Sequence, residues 1–148
     1  MTNRSPADPN AVRILLVEDD LADAKLTLEI LKKSSLPIEV ERVKDGVEAL
    51  GYLRREGPYA GVKRPDLILL DLNLPRLGGL EALDRIKQDP ELEPIPVLIL
   101  TCSQSDQDRL LAYESKANFF AVKPSDLEHF FEFVKYLENF WLKGLKSA

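Results

Sequence analysis

The segment Asp66-Leu67-Ile68-Leu69-Leu70-Asp71 holds four apolar residues between two aspartates. A strand with one wet face would alternate apolar and polar side chains. A short unbroken apolar run instead reads as a strand covered on both faces, the kind found in parallel sheets flanked by helices. Upstream, Arg13-Ile14-Leu15-Leu16-Val17 repeats the pattern and stops at Glu18-Asp19-Asp20. A helix follows with Leu21, Ala24, Leu28 and Leu31 on one stripe, ended by Ser34-Ser35 and Pro37. Ile38 to Val43 reads as another strand, and Asp45 is the N-cap of a helix running to about residue 54. Residues 57–65 form a loop.

Downstream of Asp71, Gly78-Gly79 opens a helix carrying Leu80, Leu83 and Ile86, closed by Asp89-Pro90. Ile95-Pro96-Val97-Leu98-Ile99-Leu100 is a fourth strand ending on Thr101. A helix over 104–115 leads to a fifth, Phe119-Phe120-Ala121-Val122, which ends on Lys123-Pro124, and a long helix from Ser125 closes the chain. Strands alternating with helices predict an α/β fold, with parallel pairing through right-handed crossovers and helices on both faces. In such folds ligands bind outside the carboxyl ends of the strands. Those ends carry Glu18 and Asp19, Asp71, Thr101, and Lys123.

Composition narrows the classes. The 148 residues are 45% hydrophobic and 30% charged, as expected of a globular domain. No apolar run approaches the roughly 20 residues of a membrane span, and residues 1–11 read as a flexible tail ahead of one domain over 12–148. The single Cys102 cannot form an internal disulfide, which fits a reducing cytoplasm. A net charge of −5 with no basic cluster argues against nucleic acid as a partner.

Three converging carboxylates repel unless a cation offsets them. Oxygen donors without His or Cys select a hard cation, and Mg²⁺ commonly takes one or two carboxylates with waters and phosphate. Asp19 and Asp71 are the expected direct ligands, Glu18 acts through water, and the Asn73 carbonyl supplies another oxygen. Lys123 is a compact charge suited to a phosphoryl oxygen. The Thr101 hydroxyl and the Cys102 backbone N–H can donate to others. Asp71 suits a carboxylate nucleophile forming an aspartyl phosphate. Each of these charges read singly is also an ordinary solvated loop residue. Asp20 reads as a helix cap, and His129 as a surface residue.

The motifs Val17-Glu18-Asp19-Asp20, Leu70-Asp71-Leu72-Asn73-Leu74-Pro75, Leu100-Thr101 and Lys123-Pro124 resemble those of bacterial response-regulator receiver domains. The resemblance spans about residues 13–140. It implies a flavodoxin-like, doubly wound five-stranded sheet in the order 2-1-3-4-5 with five helices, and a histidine kinase as phosphodonor. It assigns phosphorylation to Asp71, Mg²⁺ to Glu18, Asp19, Asp71 and the Asn73 carbonyl, and phosphoryl contacts to Thr101, Cys102 and Lys123. The family's switch pair falls on Thr101 and Phe120, where no hydroxyl is present for a tyrosine-type bond. A narrower likeness lies in Gly57-Pro58-Tyr59-Ala60, Ile86-Lys87-Gln88-Asp89-Pro90-Glu91-Leu92, Ala117-Asn118-Phe119 and Phe140-Trp141-Leu142. It is to the regulators partnered with bacterial phytochromes, and implies a red-light sensor kinase.

In the last helix, Leu127, Phe130, Phe131, Val134, Leu137 and Trp141 form a stripe for the sheet. Phe133, Tyr136 and Phe140 extend the apolar arc further, and with Trp141 they predict a homodimer interface. The resemblance makes the chain a phosphoacceptor signalling protein that assists its own phosphotransfer, not an enzyme in the usual sense. No output domain is expected after the last helix. A haloacid-dehalogenase-type phosphatase would need a second acid two residues after its aspartate, where Asn73 stands. A receiver-like binding module that is never phosphorylated is the other alternative, and the complete acidic pocket opposes it.

Overall fold

The structure, a computed structural model, describes residues 11–34, 37–72, 74, 76–101, 119–122, 135 and 139. Five strands, β1 (Val12–Val17), β2 (Ile38–Val43), β3 (Leu67–Asp71), β4 (Val97–Thr101) and β5 (Phe119–Val122), pair in parallel in the order β2-β1-β3-β4-β5. Between them lie α1 (Leu21–Leu31), α2 (Gly46–Leu53) and α3 (Gly79–Gln88). Sequence and structure agree on this order and on the parallel pairing. The helices expected over 104–115 and after Ser125 lie outside the described residues. Lys135 and Asn139, which are described, are helical and exposed.

Successive side chains of a strand face opposite ways, and the burial follows that rule. Leu15, Val17, Ile68, Leu70, Val97 and Ile99 pack with Leu50 and Leu53 of α2 and Leu83 and Ile86 of α3. Ile14, Leu16, Leu67, Leu69, Leu98 and Leu100 pack with Ala24, Ile30 and Leu31 of α1 on the other face. The central strand β3 is therefore buried on both sides, with Leu67, Ile68, Leu69 and Leu70 each at most 1% exposed. Each such side chain contributes about 1.5–3 kcal/mol relative to exposure, which is why the unbroken apolar run belongs at the centre.

The expected stripe of α1 needs correction. Its buried positions are Ala24, Thr27, Ile30 and Leu31, with Leu28 half-buried, whereas Leu21 is 56% exposed. Periodicity fixes a side chain's angle about the helix axis but not its place along it, so Leu21, the first residue of α1, can carry the phase of the stripe and still face solvent. In α3 the buried positions are Gly79, Ala82, Leu83 and Ile86, and Leu80 is half-buried. The loop over 57–65 contains one 3₁₀ turn, Gly57–Tyr59. Among the described residues, no helix is long and apolar enough to cross a membrane.

Candidate functional site

The register brings the acidic residues together. Val17 lies opposite Leu70 across β1 and β3, so the next residues along, Glu18 and Asp71, emerge side by side. One carboxylate oxygen from each of Glu18, Asp19 and Asp71 falls within 4.8 Å of the others. Glu18 and Asp71 are buried, at 1% and 6% exposure, while Asp19 is exposed and leaves the cluster open to solvent on one side. Two carboxylates near that spacing repel by roughly 3 kcal/mol at an effective dielectric of about 20 unless a cation offsets them. Three oxygen donors, two of them desolvated and one wet, match the chemistry of a hard divalent ion that keeps part of its water.

The turn after β1 sorts its three acids into different tasks. Asp20 caps α1, its Oδ1 accepting from the Asp23 N–H at 3.0 Å. Its own N–H lies 3.3 Å from the Glu18 Oε2, to which it donates. The Glu18 N–H continues the ladder by donating to the Val43 carbonyl at 3.0 Å. Asp20 thus serves the helix as expected, and Glu18 and Asp19 face the cluster.

Asp71 is fixed from behind by glycine. The Gly79 N–H donates to the Leu72 carbonyl at 3.1 Å. A Cβ at Gly79 would stand 2.3 Å from the Asp71 carbonyl oxygen and 2.7 Å from the Leu72 Cα. The first turn of α3 therefore rests directly on the backbone that carries Asp71. Gly46 makes a similar approach at the start of α2, where a Cβ would lie 2.5 Å from the Leu77 carbonyl oxygen.

Two arginines on this edge escaped the sequence reading. Arg42, at the carboxyl end of β2, donates to the backbone carbonyls of Glu18 and Asp19. Arg76, in the loop after β3, binds the Asp45 Oδ2 through Nε at 2.8 Å. The one available signal for Arg42 was its phase: Ile38, Val40 and Arg42 share a strand face, and a charge there is out of pattern.

Thr101 ends β4 and Phe120 lies within β5, placed by their strand positions. Thr101 pairs with Val122 and Asp71 with Leu100. Asn73, Cys102, Lys123, Phe133, Tyr136, Phe140 and Trp141 lie outside the described residues.

The family model of the response regulator receiver domain matches residues 14–135. Response regulator Rcp1 of Synechocystis sp. is 44% identical over 130 residues, 88% of each chain. The probable methanogenesis regulatory protein FilR2 of Methanothrix harundinacea is 39% identical over 135 residues, 90% of this chain and 86% of that one. Among solved structures, the phosphorylated cyanobacterial phytochrome response regulator RcpA superposes with a TM-score of 0.82 at 48% identity. The match covers 89% of this chain and 94% of RcpA. The Mn²⁺-bound form of Rcp1 gives 0.80 at 44% identity, covering 88% and 94%.

Proposed function

The chain belongs to the response regulator receiver domain family of two-component signalling, and from that premise we propose that Asp71 accepts a phosphoryl group from a phytochrome-type sensor histidine kinase with the help of a divalent cation. The observation that carries this reading is the Glu18, Asp19 and Asp71 cluster at the carboxyl edge of the sheet.

An Asp71 carboxylate oxygen attacks phosphorus in line, the P–O bond forms, and the bond to the donor's histidine nitrogen breaks. The nitrogen departs with the electron pair and takes up a proton. When bound, a divalent cation, Mg²⁺ in this reading, would supply positive charge to offset that on the transferring oxygens. Asp71 is oriented by β3 and by Gly79 beneath it, and together with Glu18 and Asp19 it would hold the cation. The Asn73 carbonyl, Thr101, Cys102 N–H and Lys123 complete the pocket by resemblance, with Thr101 and Phe120 as the switch pair.

The phytochrome-type kinase is favoured because RcpA, at 48% identity, is a phytochrome response regulator. FilR2, at 39%, carries a different regulatory role and is the less similar of the two. A cation of Mg²⁺ type is favoured because Rcp1 is known in a Mn²⁺-bound form and the donors here are all oxygen. A cytoplasmic setting, a homodimer through Phe133, Tyr136, Phe140 and Trp141, and no role for nucleic acid complete the reading.

Intact mass after incubation with acetyl phosphate and Mg²⁺ tests it. The wild type gains one phosphoryl group, while the Asp71→Asn variant and EDTA-treated wild type gain none. A variant that is still phosphorylated places the acceptor elsewhere. Light scattering of the wild type against a Phe133→Glu, Phe140→Glu double variant tests the dimer, which a monomeric wild type overturns.

A further inference from the structure

Two successive residues cannot both face one site from a regular strand, because their side chains point to opposite faces. Glu18 and Asp19 nevertheless both bring a carboxylate oxygen to the same cluster as Asp71. The backbone must therefore leave the strand at this point and be held in its new course. The β1–β2 ladder ends with the Glu18 N–H on the Val43 carbonyl. Beyond it, one side chain takes over. The Arg42 Nε donates to the Glu18 carbonyl at 2.9 Å, and its terminal nitrogen donates to the Asp19 carbonyl at 3.1 Å.

The placement follows from register and phase. Arg42 lies opposite Leu16, two residues before Glu18. It shares the face of Ile38 and Val40, which pack beside α1. A planar guanidinium presents its donors in a fixed fork, so one half-buried side chain can span two adjacent carbonyls where a lysine would reach one.

We infer that Arg42 is a positioning residue for the cation site, its two bonds to the Glu18 and Asp19 carbonyls holding both carboxylates toward Asp71. The inference rests on the proposed cation site and names what keeps that site in shape. It also has a sign of its own. A positive charge near a cation site opposes cation binding, so if Arg42 acted through charge, its removal would tighten the site. If it acts by holding the turn, removal weakens it, as loss of supporting partners around metal ligands commonly does.

Mn²⁺ titration, read by the electron paramagnetic resonance of free Mn²⁺, decides between these. Arg42→Met keeps the apolar stem and should weaken binding about tenfold. Arg42→Lys keeps the charge but only one bond, and should fall between Arg42→Met and the wild type. Thermal unfolding in EDTA and in Mn²⁺ supplies the second readout: the rise in Tm caused by Mn²⁺ shrinks in both variants. Binding by Arg42→Met that equals or exceeds the wild type overturns the inference, and so does Arg42→Lys binding like the wild type. A lower Tm in EDTA with an unchanged Mn²⁺ increment would make Arg42 merely structural and overturn it too. Should Arg42→Met fail to fold, Arg42→Lys carries the test. Asp19→Asn separates the two levels. If it leaves Mn²⁺ affinity intact, the cation-site reading itself fails. If it abolishes binding while Arg42→Met does not weaken it, only the role of Arg42 fails.

Discussion

Asp45 divides its two carboxylate oxygens between a helix and an arginine: Oδ1 accepts from the Glu48 N–H at 2.8 Å and caps α2, while Oδ2 holds Arg76 at 2.7 and 2.8 Å. Arg76 sits at a φ of 63°, in the left-handed region that costs a residue with a Cβ about 1–2 kcal/mol. The loop after Asp71 is thereby tied to the start of α2. Asp45→Ala removes cap and tether together and should cost about 2 kcal/mol in urea unfolding. Asp45→Asn retains the cap oxygen but turns an amide toward the guanidinium, and should cost less than about 1 kcal/mol, because Arg76 is more than half exposed. Equal losses would mean that the cap contributes nothing.

The neighbours Asp19 and Asp20 should separate cleanly in two assays. Asp20 caps α1 through the Asp23 N–H, so Asp20→Ala should lose about 1 kcal/mol of stability with little change in cation affinity. Asp19 is exposed and shares the carboxylate cluster, so Asp19→Asn should weaken Mg²⁺ strongly in calorimetric titration and leave unfolding in EDTA unchanged or slightly improved. Parallel behaviour of the two variants in both assays would refute this division.

Gly79→Ala forces a methyl against the Asp71 carbonyl oxygen and the Leu72 Cα. Backbone must move to admit it, at about 1–3 kcal/mol, and the moving backbone carries Asp71. Both stability and the initial rate of phosphorylation by acetyl phosphate should fall. Gly78→Ala is the control, since a Cβ there meets nothing within 4 Å and φ is −65°. A Gly79→Ala protein as stable and as fast as the wild type would remove the close approach from the account.

Lys87 anchors the turn after α3 by donating to the carbonyls of Glu93 and Ile95 at 2.9 and 2.8 Å. Burial lowers its pKa below the ordinary 10.5, with the Glu93 charge pulling the other way. Between the lowered value and 10.5 the unfolded chain binds more proton than the folded one, so stability rises with pH across that window. Below the window Lys87 is charged in both states, and the cost of its partial burial is fully present. The stability of the wild type relative to Lys87→Met should therefore increase as the pH rises toward 10.5, measured by urea midpoints. A decrease would show that the carbonyl contacts raise the pKa instead.

The amino-acid order was sufficient for the β/α alternation, the burial of β3 on both faces and the list of acids at the strand ends. These are local properties: the unbroken apolar run at Leu67 to Leu70 demands burial on both faces, and an aspartate before a helix satisfies its first N–H groups whatever surrounds it. Where periodicity met an edge, it misled. Leu21 has the helical phase of a core residue but is the first residue of α1 and is exposed. Tertiary structure alone decided the contacts between residues distant in sequence. Arg42 grips carbonyls 23 and 24 positions away, and Arg76 reaches an aspartate 31 positions away. No periodicity encodes such pairs, because a charged side chain is compatible with solvent anywhere along the chain. Only the parallel register, which sets the ends of β1, β2 and β3 side by side, selects which carbonyls and carboxylates each arginine meets.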